Sequence, residues 1–294
     1  MGSCSKSIYI LNEGSGDAER IRLDSQHTFF DDVMENDLLP PHIAAELSTK
    51  PSPSILELAT GSAVWLRELA KALPASAELV GLDFNTAKFP KALPENVKLG
   101  FADMYQPFPE ELHGRFDVVH IRLFICAAKK GMGVWLARNA LSLLRPGGWL
   151  VWAETGDLHF AAQPPSRALF KYQELTYAFA MAVGRDVEIP LSMLSYLREA
   201  GYTDCDGKTH PYNSCLYRPH RDGFLSSEQQ IVTAFMRQGL QGILALGGVG
   251  GMRTQKEAGV LMAEAERELS GDTRVHGLVI QLIPKNLLAY VHRV

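Results

Sequence analysis

Short apolar runs closed by small or acidic residues alternate with helix-period segments through the first half of the chain. Ile55-Leu56-Glu57-Leu58 runs into the turn Ala59-Thr60-Gly61-Ser62-Ala63, and a crossover helix over Leu66 to Leu73 leads to Leu79-Val80-Gly81-Leu82-Asp83. Further strands are predicted near 97 to 101, 116 to 121 and 147 to 154. The nearly continuous apolar run from Phe116 to Phe124 is the mark of a central parallel strand covered on both faces. Residues 17 to 48 predict two helices, with Asp17 or a neighbour as N-cap and Pro40-Pro41 between them. Strands alternating with helices predict a doubly wound α/β fold, in which ligands lie at the carboxyl ends of the strands.

The second half is less regular. Pro164-Pro165 opens a helix to about Val183, and Pro190 opens another to about Ala200, where Gly201 ends it. A strand near 202 to 212, helices near 226 to 245 and 254 to 269, and a strand near 276 to 293 follow. Phe170, Tyr172, Tyr177, Phe179, Met181, Phe235 and Met236 suit an apolar pocket, ordinary core packing being the alternative for each. Gly247-Gly248-Val249-Gly250-Gly251 lies between helices instead of after a strand, so a hinge or lid loop is expected there and not a phosphate cradle.

The first turn restricts the ligand. A dinucleotide site needs repeated glycines so that a pyrophosphate can rest on bare backbone at a helix N-terminus. Here Gly61 is kept, Ala59 and Ala63 stand where further glycines belong, and the turn holds no Lys or Arg. A ligand without phosphate fits better. Asp83 at a strand tip is placed to accept from a ribose diol, and Asp103, after the third strand, from an adenine amine. Phe84 and Met104 follow those acids and would flank the adenine; Glu57 would answer an ammonium group or orient the turn. S-adenosyl-L-methionine (SAM) has a ribose, an adenine and a zwitterionic tail but no phosphate. Ala59, Gly61 and His120 complete the set of residues expected beside it.

These blocks, in order, resemble the class I SAM-dependent methyltransferases, and more narrowly their fungal secondary-metabolism branch. The resemblance runs from Tyr9 to Gly14, through Glu19-Arg20-Ile21-Arg22-Leu23 with Gln26-His27, Ala59-Thr60-Gly61 with Trp65-Leu66, Gly81-Leu82-Asp83 and Phe116 to Arg122, to Leu144-Arg145-Pro146-Gly147-Gly148-Trp149. Beyond residue 160 the likeness is weak. The departure is Ala59 and Ala63 in place of glycine. The resemblance implies a seven-stranded, mostly parallel Rossmann-like sheet with a helical cap, its last two strands antiparallel. It implies lid helices over 1–50, a SAM-binding core over 51–160 and cap elements with the last strands over 161–294. It also implies in-line displacement at the sulfonium methyl by an acceptor oxygen or nitrogen. Two other functions share the pattern: a cyclase or pericyclase that holds SAM without spending its methyl group, and a regulatory methyltransferase-like protein.

His27 and His120 are the candidate catalytic groups, since imidazole titrates near neutral pH and either could take a proton from an acceptor. The alternative is structural: His27 holding the lid helix, His120 bonded to backbone. Arg122 is expected to anchor carboxylates or loop carbonyls, and Glu154 to bind substrate or support the lid.

Composition narrows the setting. With 294 residues, 46% hydrophobic and 21% charged, the chain can bury one large α/β core. A net charge of -4 without a dense basic block gives no nucleic-acid footprint, so a small-molecule substrate is expected, with a homodimer left open. Cys4, Cys126, Cys205 and Cys215 have no metal-ligand spacing and read as free thiols. No apolar stretch reaches membrane-spanning length, and Lys6 spoils the myristoylation pattern begun by Met1-Gly2, so a cytoplasmic protein without membrane or metal is expected.

Overall fold

Five parallel strands form the centre of the molecule, a computed structural model that describes residues 16–35, 37–155, 161–213, 224–270 and 273–286. They are β1 (Ser54–Leu58), β2 (Glu78–Asp83), β3 (Val97–Phe101), β4 (Phe116–Arg122) and β5 (Leu144–Thr155). The crossover elements α3 (Val64–Ala72) and α4 (Gly133–Leu143) follow β1 and β4. The sheet continues through β6 (Ala161–Gln163), β7 (Thr203–Asn213) and β8 (Arg274–Lys285). Strand order is β3-β2-β1-β4-β5-β8-β6, with β7 also paired to β8, and all pairings of β8 are antiparallel. The expected seven strands are thus eight, because the three-residue β6 adds to β8 where that strand overshoots β5. β1 and β4, where the order reverses, are the topological switch point at which such sheets bind ligands.

Both faces of β1 are covered. Leu56 and Leu58 pack with Val119 and Ile121 toward α4 and α6 (Ile189–Ala200), while Ile55 packs with Val118 toward α3 and α2 (Pro41–Ser48). The same alternation puts Glu57, His120 and Arg122 on the α3 face. Buried Asp117 locks the opposite end of the sheet, accepting from Ser54 N at 2.8 Å and pairing with Lys50 and Arg145.

The remaining helices are α1 (Gly16–Val33), α5 (Arg167–Ala182), α7 (Phe224–Ala245) and α8 (Gln255–Glu268). Asp17 lies inside the first turn of α1, paired with Arg20, not ahead of it as a cap. α5 begins at its Ser166 cap, two residues beyond the first of the expected prolines, and Gly201 ends α6 in the left-handed region. α5, α7 and α8 share a second apolar cluster that includes Leu169, Tyr172, Phe179 and Met236. Phe170, Tyr177 and Met181, expected at a pocket, instead lie on the exposed face of α5 at 65%, 40% and 46% exposure. Their spacing of seven and four residues keeps them on one stripe opposite the buried one. The glycine run is a tight turn between α7 and α8, with Arg253 donating to the carbonyls of Gly247 and Gly248. Cys126 and Cys205 are free thiols. Tyr9 to Gly14, Cys4, Cys215 and the end of the last expected strand lie outside the described residues.

Gly81 is where α3 and β3 press closest on β2. A Cβ there would stand 2.5 Å from Leu99 Cδ2, 2.8 Å from Leu66 Cδ1 and 2.9 Å from Thr60 Oγ1. Gly81→Ala is expected to destabilise the protein by about 1–3 kcal/mol through overpacking. Gly259→Ala, in open space on α8, should instead stabilise by roughly 0.5–1 kcal/mol. Urea midpoints of the two variants check both signs.

Candidate functional site

At the carboxyl rim, the turn after β1 holds three left-handed residues, with φ of 55° at Ala59, 57° at Gly61 and 55° at Ala63. Alanine adopts this backbone at a cost of roughly 1–2 kcal/mol, so the surroundings must impose it. Thr60 N donates to Leu82 O at 3.1 Å, and Ala63 N to Thr60 O at 2.8 Å. Asp83, buried at the tip of β2, accepts Gly61 N through Oδ2 and Asn85 N through Oδ1, each at 2.7 Å. A carboxylate has about four acceptor sites, and among the described residues no Lys or Arg pairs with this one.

Beside Asp83, Phe84 is half exposed and lies 5.6 Å from the ring of Phe101, which is 64% exposed. Phe101 escaped the sequence reading; its signal is register, since it ends β3 directly opposite Asp83. Asp103 follows, with Oδ1 accepting Tyr105 N at 2.9 Å. Met104 is buried in the core with Leu82 and Phe108, unlike the exposed rings of Phe84 and Phe101. The structure therefore brings Ala59, Gly61, Asp83, Phe84 and Asp103 to one stretch of rim and places Glu57, Met104 and His120 beneath it.

Under the turn runs a buried polar string. Glu57 accepts from the Thr60 hydroxyl, and its other oxygen faces His120 Nδ1 at 3.3 Å. A carboxylate can only accept, so Nδ1 carries the proton and the lone pair of His120 sits on Nε2. The ring stacks on Trp65 at 3.9 Å, and burial lowers its pKa while Glu57 opposes the shift. Arg122 donates to His27 Nδ1 at 2.7 Å. Burial and the adjacent guanidinium bring the His27 pKa down to about 3, which keeps the ring neutral with its proton on Nε2.

α1 roofs the turn. Leu23 Cδ1 comes within 3.1 Å of where a Gly61 Cβ would stand, and Asp24 accepts from Ser62 Oγ at 2.7 Å and Arg67 at 2.8 Å. Glu19 is buried, bound through both oxygens by Arg22 at 2.8 Å, and receives Gln238 Nε2 of α7 at 3.0 Å. The resemblance implies a lid over 1–50 and includes Leu23, but it singles out neither Asp24 nor Gln238, since nothing in the sequence relates α1 to α7.

At the tip of β5, Glu154 is fully buried. It accepts from Phe124 N at 2.8 Å, Ile125 N at 3.1 Å and Trp152 Nε1 at 2.9 Å, fixing the loop that follows β4. That loop turns at Leu123, whose φ is 57°. Burial pushes the Glu154 pKa up to about 7 against the three donors. Among the described residues no cluster of three or more His, Cys, Asp or Glu is placed to hold a metal ion, and no helix is long and apolar enough to cross a membrane.

The rim fits a nucleoside lacking phosphate. It offers an acid without a cationic partner, a second acid, exposed ring faces and a turn free of basic residues. A family model described as "Methyltransferase domain" matches residues 34–205. Methyltransferase grgD of a Penicillium species is 33% identical over 196 residues, covering 64% of this chain and 67% of its own. N-methyltransferase tcpN of Claviceps purpurea (strain 20.1) is 28% identical over 190 residues, covering 64% and 66%. The chain thus spans about two thirds of the length of these relatives. Among solved structures, a chain of the complex between the Haloferax volcanii Trm112 methyltransferase activator and a methyltransferase is 12% identical, with a TM-score of 0.50 over 95% of this chain and 98% of that one, a likeness of fold.

Glu154 gives the fold a pH signature. Between the ordinary value of 4.5 and about 7, the folded chain keeps a proton that the unfolded chain has released, so stability is lost as pH rises through that window. The contribution is on the order of 3 kcal/mol. Denaturant unfolding of Glu154→Gln at pH 5 and pH 8 should show a flatter pH dependence than the unsubstituted protein; equal slopes would show that Glu154 does not titrate there.

Proposed function

The chain belongs to the methyltransferase-domain family, and we propose that it methylates a small-molecule acceptor of the secondary-metabolism type, at nitrogen, with SAM as methyl donor. The observation that carries the donor assignment is the Asp83 carboxylate, held by two backbone amides beside the Gly61 turn with no cation to neutralise it. Asp83 would hold the ribose, Asp103 the adenine amine, and Phe84 with Phe101 the adenine face. The turn from Ala59 to Gly61 would bring backbone close to the amino acid tail. Bound there, SAM supplies a methyl group already activated on a sulfonium centre.

The protein's own contribution is alignment and dryness. α1 covers one side of the turn through Leu23 and Asp24. Glu57 holds His120 in the tautomer whose Nε2 can receive the proton released by the acceptor. His27, expected as a base too, has its Nδ1 lone pair engaged by Arg122, and we assign it the role of neutral donor at Nε2. Nitrogen is favoured because several relatives are named N-methyltransferases, those of Claviceps purpurea and Leptosphaeria maculans among them.

Calorimetry should find binding of SAM and S-adenosylhomocysteine and none of NAD or ATP; tight NAD binding would sink the donor assignment. Asp83→Ala should weaken SAM about tenfold or more with the fold retained. With labelled SAM and an accepted amine or amide, His120→Asn should lower kcat roughly 100-fold and leave SAM affinity unchanged. Mass spectrometry locating the methyl group on oxygen would overturn the choice of nitrogen.

A further inference from the structure

Two strands, β2 and β1, separate β3 from β4 in the sheet, yet a side chain that follows β3 is bonded to the loop that follows β4. Tyr105, two residues after Asp103, donates its hydroxyl proton to Ala127 O at 2.9 Å, and the hydroxyl oxygen accepts from Lys129 N at 2.8 Å. Burial pushes the Tyr105 pKa up, so the hydroxyl keeps the proton that it donates. The Lys129 ammonium lies over the same ring at 4.0 Å from its centre, and the ring of Phe124 stands 6.1 Å away.

The other end of Tyr105 is tied to the rim. Three hydrogen bonds fix its backbone: Tyr105 N donates to Asp103 Oδ1 at 2.9 Å, and the carbonyls of Met104 and Gln106 on either side accept from Asn139 Nδ2 of α4 at 3.0 and 2.7 Å. Asp103 Oδ2 accepts from no donor among the described residues, which leaves it for a ligand. The loop after β4 is in turn tied to the cap. Ala127 O also accepts from Arg185 Nη1 at 2.7 Å, Ala128 O accepts from Asp186 N at 2.9 Å, and Lys130 N donates to Gly184 O at 2.9 Å, all in the connection between α5 and α6. The loop starts at Leu123 with φ of 57°, backbone that leucine disfavours and that persists only where neighbours impose it.

We infer that Tyr105 is a positioning residue through which an adenine nucleoside at Asp103 stiffens the loop after β4 and the connection between α5 and α6. On the methyltransferase reading, on which this coupling rests, that nucleoside is SAM or its product. A ligand on Asp103 stabilises only those states in which residues 103–106 are in place. While the Tyr105 hydroxyl joins them to the loop, local opening of the loop must break that joint or carry the segment with it, so the loop shares the ligand's stabilisation. The cap side of the switch point would then be set when the donor is present.

The test is amide hydrogen exchange of the full chain with and without saturating S-adenosylhomocysteine, for the unsubstituted protein, Tyr105→Phe and Tyr196→Phe. Tyr105→Phe removes one oxygen and keeps the ring beneath Lys129. Tyr196→Phe removes a hydroxyl that donates to Asp186 Oδ2 at 3.1 Å, which loosens the cap side of the loop and leaves Tyr105 intact. In the unsubstituted protein the ligand should slow exchange at Lys129 and Lys130 about tenfold; in Tyr105→Phe the slowing should fall below about twofold with binding retained, and in Tyr196→Phe it should persist. Without ligand, the Lys129 amide should exchange faster in Tyr105→Phe, having lost its acceptor. Loop amides that ignore the bound ligand, a response that survives Tyr105→Phe or is lost equally in Tyr196→Phe, or an unchanged Lys129 amide in ligand-free Tyr105→Phe would each overturn the coupling and leave the donor assignment standing. Loss of S-adenosylhomocysteine binding in Tyr105→Phe would place Tyr105 in the nucleoside site itself and overturn its positioning role. Failure of the unsubstituted protein to bind S-adenosylhomocysteine, read by calorimetry on the same samples, would overturn the methyltransferase reading and the coupling with it.

Discussion

One carboxylate organises the rim of the sheet. Asp83 ties the turn after β1 to the tip of β2 by accepting Gly61 N and Asn85 N at once. With the bond from Thr60 N to Leu82 O, that pair of bonds restrains a turn in which two alanines adopt backbone that alanine disfavours. The same residue carries a negative charge that no Lys or Arg among the described residues pairs with. In the proposed function the atoms that hold the turn would also meet the ligand.

The buried charges around it are managed by hydrogen bonds more than by ion pairs. Glu57 is satisfied by a hydroxyl and an imidazole, Glu154 by two backbone amides and an indole. Burial pushes the pKa of Glu154 up to about 7 against its three donors, and burial with the Arg122 charge brings that of His27 down to about 3. The price is stability at high pH; in return the chain obtains rigid positions for the loop after β4 and for the His120 ring. Both lie next to the switch point, where a reaction needs atoms held in place.

The cap makes the opposite choice. Its helices turn hydroxyls onto their own carbonyls and pack rings and aliphatic side chains against one another, so the cap is held by apolar contact where the rim is acidic. α1 joins the two environments, with Asp24 bound to the turn and Glu19 bound to α7.

Alternation and punctuation made the strands, the crossover helices and the rim legible. β1 to β5 appear where apolar runs end on small or acidic residues, and Asp83, Asp103 and the Gly61 turn follow at their tips. A period of two residues in a strand and the identity of a turn are local properties, so the chain by itself determined the fold class and the acids at its rim. Which face each cap residue takes, which tautomer His120 holds, that Phe101 stands beside Phe84, and that Gln238 reaches Glu19 were decided only by tertiary contacts. Those outcomes depend on partners 17 to 219 residues distant (Phe84 to Phe101, Glu19 to Gln238), and neither helical period nor residue type carries information about a neighbour that far along the chain.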